Sequence, residues 1–260
     1  MSHEESPPEE FLPVIRVGCA GWGVPKEHAE RFPEAGSHLE RYARRFPAVE
    51  INSSFYCPHR PATYARWAAS VPPGFRFAVK VPREITHLRR LADPEEPLHR
   101  FLAECGALEE ALGPLLVQIP PSLAFDNAVA VPFFTELRGR FTGNVVCEPR
   151  HPSWFQTEAE RVLIRHQIAR VAADPPPVPS AANPGGWPGL VYYRLHGSPR
   201  VYYSAYPEHY LAAIAATLSA AASAATVWCI FDNTAQGAAT EDALGVIEQL
   251  FSAPPSPETL

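Results

Sequence analysis

Eight β-type stretches separated by helical ones constrain this chain more than any other feature. The β-type stretches fall at 14–20, 48–55, 75–81, 114–119, 144–148, 169–174, 190–196 and 226–232. Helix-like stretches lie between most of them, at 37–46, 61–70, 98–112, 127–139, 157–167, 207–222 and 239–251. Strands that alternate with helices pair in parallel through crossover units. Eight of them in about 240 residues is the size of a closed β/α barrel, so the expected fold is α/β, an eight-stranded TIM barrel forming one domain over 13–251. An open doubly wound sheet is the alternative. That fold usually carries a Gly-rich phosphate turn after its first strand, and here the turn reads GCAGWG rather than GxGxxG. Ser37, Asp126 and Thr157 supply helix start signals, and Gly113 reads as the stop of the 98–112 helix. Residues 1–12 and 252–260 read as disordered tails. The stretch 175–189, PPPVPSAANPGGWPG, reads as a long irregular loop where a helix is expected.

Composition narrows the function classes. The net charge of −6 gives the molecule no field that attracts nucleic acid, so anion binding must come from a local cluster. No apolar run approaches the roughly 18–20 residues of a membrane span, and the N-terminus lacks the basic and apolar start of a secretory signal. Five cysteines without a CxxC spacing argue against a disulfide framework or structural zinc and fit a reducing cytoplasm. The chain is therefore expected in the cytoplasm, with no membrane partner. Lysine is nearly absent: Lys26 and Lys80 stand against twenty arginines.

Side chains alternate across a strand, so in a barrel one parity meets the helices and the other the interior. Taking the apolar parity as helix-facing leaves Glu50 and Asn52 inward in the second strand, Lys80 in the third and Gln118 in the fourth. It leaves Glu148, followed by Arg150, inward in the fifth, Asp174 in the sixth, Arg194 and His196 in the seventh, and Asp232 in the eighth. A structural barrel would fill such positions with Val, Ile and Leu. Burying this many charges is costly unless they pair with one another or meet a ligand. A mixed site of this kind suits a phosphate-containing substrate, with Lys and Arg holding oxygens and carboxylates or His moving protons or holding metal.

The motifs GCAGW (18–22), VEINSSFY (49–56), FAVKVPREITH (77–87), LVQIPPS (116–122), VVCEPRHPSWF (145–155), YYRLHGS (192–198) and FDNTAQGAATEDAL (231–244) together resemble the YecE-like family, domain of unknown function 72. The resemblance runs from about residue 15 to 251 and keeps motif order. It implies a β/α barrel similar to those of the endonuclease IV and xylose-isomerase-like enzymes. Phosphodiester or sugar substrates follow only by that analogy. Two departures bear on the site. Asp232 stands where the family usually has an amide, and Ser198 stands where an arginine commonly follows HG, with Arg200 nearby.

Glu50, Lys80, Glu148, Asp174, His196 and Asp232 are the catalytic candidates. Asn52, Tyr56, Arg83, Gln118, Arg150, His151, Trp154, Arg194, Tyr203, Tyr206 and Asn233 are the substrate-binding ones. Lys80 is either a point charge for phosphate, an amine for Schiff-base chemistry, or a structural partner of Glu50 or Glu148. Trp154 either stacks on a base or sugar or packs beneath its loop. No tightly bound cofactor is expected. A divalent metal is left open, because Glu50, Glu148, Asp174, His196 and Asp232 could supply ligands, although Lys80 and Arg194 at the same level repel a cation and weigh against tight binding. The expected partner is an anionic or phosphate-containing small molecule, or nucleic acid. Competing readings are a sugar-processing enzyme and a non-catalytic binding barrel. The common retaining-glycosidase barrels carry carboxylates on strands four and seven, where this chain has Gln118 and His196, which ranks the sugar reading lower.

Overall fold

The computed structural model describes residues 15–251, so the two expected tails lie outside the described residues. In chain order the elements are β1 (Ile15–Cys19), α1 (His38–Ala43), β2 (Ala48–Ile51), α2 (Ser53–Tyr56), α3 (Pro61–Ala69) and β3 (Arg76–Lys80). They continue with α4 (Glu95–Cys105), β4 (Leu112–Ile119), α5 (Asn127–Arg140), β5 (Val145–Pro149), α6 (Thr157–Arg165), β6 (Ile168–Arg170) and β7 (Ala172–Asp174). Last come β8 (Gly185–Gly186), β9 (Leu190–Leu195), α7 (Glu208–Ala222), β10 (Thr226–Phe231) and α8 (Ala238–Phe251). No helix among the described residues is long and apolar enough to cross a membrane.

The strands form two sheets rather than one uninterrupted ring, in the orders β1-β10-β9-β7 and β2-β3-β4-β5-β6-β8. Every pairing is parallel except that of the short β8 with β6. The sheets approach each other at two seams. At one, Ala20 bridges Glu50 in parallel and the Gly21 N–H donates to the Glu50 carbonyl at 2.9 Å. At the other, one continuous stretch serves both sheets: Ile168–Arg170 pairs with β5, and Ala172–Asp174 pairs with β9.

Two apolar layers hold this arrangement. Val49, Val79, Val117, Cys147 and Leu195 face the helices, where they pack with residues such as Tyr42, Phe101, Phe133 and Leu218. The opposite parity fills the space between the sheets with Ala78, Leu116, Val146, Val171, Trp228 and Ile230. The Tyr192 and Trp228 rings stack there, centroids 5.9 Å apart. Burial of both faces explains why the parallel strands read as near-continuous apolar runs.

Several expectations are corrected. The second β-type stretch ends at Ile51, and Ser53–Tyr56 turns into a helical turn. The 98–112 helix is α4, which ends at Cys105 and is followed by a 3₁₀ segment over Gly106–Ala111. Gly113 is no helix stop: it lies inside β4, where a Cβ would come within 2.9 Å of the Trp228 ring. The 175–189 loop holds a 3₁₀ turn at Pro179–Ala182 and the strand β8. In the sixth stretch the parity is reversed. Val171 points into the inter-sheet layer. Arg170 lies on the helix side, where its Nε donates to Glu160 of α6 at 3.2 Å. The interior is itself apolar below the charged level, so an apolar residue did not mark the helix side there.

Candidate functional site

Arg194, from β9, is the centre of a buried charge cluster. Its Nε and Nη2 donate to the two oxygens of Glu50 on β2 at 3.0 and 2.6 Å. Its Nη1 donates to Glu148 Oε2 on β5 at 2.6 Å, and Nη2 also reaches Asp232 Oδ2, just past β10, at 3.0 Å. Strand ends from both sheets thus converge on one guanidinium that is 1% exposed. The Tyr192 hydroxyl, two residues earlier on the same parity, donates to Glu50 Oε2 at 2.9 Å. Burial alone would lower the Arg194 pKa, but Glu148, Glu50 and Asp232 hold it well above its ordinary value.

His196 continues the cluster. Its Nδ1 lies 3.0 Å from Asp232 Oδ2 and its Nε2 lies 2.8 Å from Glu148 Oε1. Arg150 Nη2 sits 2.6 Å from that same Glu148 oxygen and 2.7 Å from His196 Nε2. An arginine nitrogen only donates, so Nε2 either accepts from Arg150 in a neutral ring or donates to Glu148 in an imidazolium. Burial pushes the Glu148 carboxyl up, and Arg194, Arg150 and His196 outweigh it to hold the group well below the usual carboxylate range. Asp232 is lowered in the same way: burial raises it, while Arg194, the His196 hydrogen bond and Lys80 lower it further.

Lys80 stands apart in one respect. It is 8% exposed and lies at the end of β3, yet no hydrogen bond or ion pair to its amine is formed among the described residues. Its Nζ sits 4.3 Å from the centroid of the Phe55 ring. The Ser54 hydroxyl donates to the Lys80 carbonyl at 2.7 Å, which fixes the backbone beneath it. Burial lowers its pKa to about 8, helped by Arg194 and opposed by Glu50, Glu148 and Asp232. Three polar atoms of this region are buried without partners among the described residues, Asn52 Oδ1, Arg150 Nε and Asn233 Oδ1. The Asn52 amide donates instead to Asp232 Oδ1 at 3.3 Å.

The structure therefore brings together Glu50, Asn52, Lys80, Glu148, Arg150, Arg194, His196 and Asp232. Gln118 pairs in register with Glu148 on the neighbouring strand and is partly exposed. Tyr56 and Tyr203 are exposed at 73% and 37%, and Arg200 lies 3.7 Å over the Tyr203 ring. Arg83 is exposed beyond β3.

Other candidates have different surroundings. Asp174 shares the helix-facing parity of Ala172, contrary to its expected inward position, and accepts from the Tyr206 hydroxyl at 2.7 Å. That hydroxyl also accepts from the Gly197 N–H at 2.8 Å, so Tyr206 is buried in support of the loop after β9. Asn233 donates to the Ser204 carbonyl and to Asp242 Oδ2, at 2.9 and 2.6 Å. His151 Nδ1 accepts from the Ser153 N–H at 3.2 Å and caps the turn over Pro152–Phe155. Trp154 is 1% exposed, donates to the Leu123 carbonyl at 3.0 Å and packs edge-on against Phe125, so it offers no stacking face.

Sequence reasoning missed Phe55, Tyr192 and Asp242. Tyr192 carried a usable signal, since it shares parity with Arg194. Phe55 carried none, because the turn of α2 rather than a strand aims its ring at Lys80. Among the described residues no group of three His, Cys, Asp or Glu side chains is arranged to hold a metal ion. The carboxylates are engaged by Arg194, Arg150 and His196.

Comparison with known proteins places this architecture. The family model described as "Protein of unknown function DUF72" matches residues 16–259. The chain belongs to the DUF72 family. It is 32% identical over 175 residues to the UPF0759 protein YecE of Escherichia coli K12, a match covering 65% of this chain and 62% of that protein. It is 28% identical over 153 residues to the UPF0759 protein YunF of Bacillus subtilis, covering 55% of this chain and 52% of that one. The chain thus matches under two thirds of these relatives' length. Among solved structures, a DUF72 protein of Enterococcus faecalis is similar at a TM-score of 0.77 and 25% identity, covering 95% of this chain and all of that one. A DUF72 protein of Thermotoga maritima is similar at 0.74 and 25% identity, covering 91% and 99%.

Proposed function

We propose that this DUF72 chain binds a phosphate-containing ligand at the C-terminal ends of its strands, with Arg150 and Lys80 as the cations that meet it. The observation that carries this reading is the contrast between two buried cations. Three carboxylates saturate Arg194, while Lys80, at the same level, has no carboxylate within ion-pair distance among the described residues. The Lys80 amine is not among the sealed, unpartnered atoms of the site, so solvent reaches it, and a cation that no carboxylate occupies is open to an anionic ligand. Arg150 is only partly exposed and, among the described residues, uses Nη2 alone, leaving its Nε unpartnered. His196, shared between Asp232 and Glu148, is the group placed to move a proton in any hydrolysis of the ligand.

The reading includes a closed barrel. The Ala20–Glu50 bridge and the stretch shared by β6 and β7 are taken as the two seams of one eight-stranded ring. Such a ring gathers its strand ends around a common site.

Calorimetric titration tests the reading, with inorganic phosphate and ribose 5-phosphate as probes and ribose as control. The expected result is binding of both phosphates and not of ribose, weakened about tenfold or more in Arg150→Gln, as suits a lost charge-assisted hydrogen bond. Equal affinity for ribose and ribose 5-phosphate overturns it. A short single-stranded oligonucleotide provides the nucleic-acid arm. Binding through the phosphate backbone must weaken steeply with salt.

A further inference from the structure

We infer that Lys80 is an imine-forming lysine, whose amine condenses with the carbonyl carbon of a phosphorylated aldehyde or ketone held at Arg150. The inference rests on the phosphate-binding reading and names the class of ligand.

The first support is the residue type. This chain uses arginine for twenty of its twenty-two Lys and Arg positions, yet keeps lysine at the end of β3. As a holder of phosphate, arginine serves at least as well, through its planar fork of donors. The property arginine lacks is a nitrogen that loses its proton and attacks carbon.

The second support is geometry. The amine makes no hydrogen bond among the described residues to hold its lone pair, and the Phe55 ring 4.3 Å away is a cation–π contact that favours the ammonium and so opposes the effect of burial. Its backbone carbonyl accepts from Ser54, so the side chain springs from a fixed strand end rather than from a loop. Charged groups face it from several elements: Arg194 from β9, Glu50 from β2, Glu148 from β5 and Asp232 from beyond β10. His87, on the segment after β3, also senses its charge, together with that of Arg83. Burial dominates this set, and with a pKa of about 8 a substantial part of Lys80 is neutral at physiological pH.

The step balances without an oxidant or reductant. The Nζ lone pair forms a C–N bond to the carbonyl carbon as the oxygen takes up a proton. The carbinolamine then loses that oxygen as water, leaving a C=N bond to Lys80. One amine and one carbonyl give one imine and one water. The two protons that leave with the oxygen as water are those of the neutral amine, so the step needs no outside proton donor.

Reductive trapping of the full chain at pH 7.5 tests the inference. Glyceraldehyde 3-phosphate and glyceraldehyde are each supplied with sodium cyanoborohydride, and adducts are mapped by peptide mass spectrometry. Lys26 is the other lysine and is exposed, so it serves as the internal control. Against an ordinary lysine of pKa about 10.4, a pKa near 8 leaves about a hundredfold more free amine at this pH. The expected result is modification of Lys80 at least about tenfold faster than Lys26, since lower basicity offsets part of that gain. The phosphorylated aldehyde should react faster than glyceraldehyde, and Arg150→Gln should remove that preference. Lys80→Arg keeps the charge, so it should retain phosphate binding and lose the adduct at this position. If Lys80 reacts no faster than Lys26 while inorganic phosphate still binds, the imine inference is overturned and the anion site stands. If Lys80 reacts fast but equally with both aldehydes, the phosphate reading fails instead.

Discussion

Replacing Lys80 by methionine should make this protein more stable at neutral pH. The side chain is 8% exposed and its pKa is lowered to about 8 by burial. A lysine in the unfolded chain titrates near 10.4, and each unit of difference is about 1.4 kcal/mol, so the protonated amine costs the folded state about 3 kcal/mol. Methionine has nearly the same length, carries no charge and packs well against an aromatic ring such as Phe55. The sign follows from proton linkage. Between the folded and unfolded values the unfolded chain binds more protons, so wild-type stability rises as pH rises from about 8 to about 10.4. The penalty is fully present below pH 8 and gone above the unfolded value. Urea unfolding of wild type and Lys80→Met, followed by circular dichroism, should show the variant more stable by up to about 3 kcal/mol at pH 7. In thermal melts of a chain this size, that corresponds to a rise of about 6–10 °C. By pH 10.5 the two proteins should converge. A variant less stable than wild type at pH 7, or a difference that does not shrink with pH, would refute the reasoning, because Lys80 would then have a hidden ionic partner.

Other outcomes follow from the same geometry. Glu148→Ala leaves Arg194 and Arg150 without a shared carboxylate and should cost about 3–5 kcal/mol in urea unfolding. Glu148 and Asp232 have folded pKa values below their unfolded ones, so the stability they provide is full above about pH 4 and is lost as pH falls through the folded values. Acid titration by circular dichroism should show the loss beginning below about pH 4, and Glu148→Gln should flatten it. Gly113→Ala pushes a methyl against the Trp228 ring and should destabilise by about 1–3 kcal/mol, with a changed Trp fluorescence spectrum. Tyr206→Phe removes the hydroxyl shared by Asp174 and Gly197 and should cost about 1–3 kcal/mol.

Much of this was legible in the sequence, because parallel strands covered on both faces obey a strict two-residue parity. That rule placed Glu50, Lys80, Glu148, Arg194 and Asp232 on the inward side, where they meet. It failed in the sixth stretch, where apolar residues lie on both sides: Val171 packs between the sheets and Asp174 is turned to the helices. Gly113 was misread for a related reason. Its smallness is required by the Trp228 ring across the interior, a contact between strands remote in sequence. Trp154 lies on a loop, where no periodicity reports whether a ring packs inward or faces solvent. Which cation of the cluster forms no ion pair among the described residues was beyond any pattern, since it depends on how three carboxylates are shared in space.

The most direct test of the central claim is the protonation of Lys80 itself, followed by nitrogen-15 NMR of lysine-labelled protein, a spectrum of two side-chain signals. The account predicts that the Lys80 amine titrates near pH 8, and that inorganic phosphate moves this value upward in wild type but not in Arg150→Gln. A Lys80 amine that titrates near the ordinary value of about 10.4, unmoved by phosphate, would contradict it.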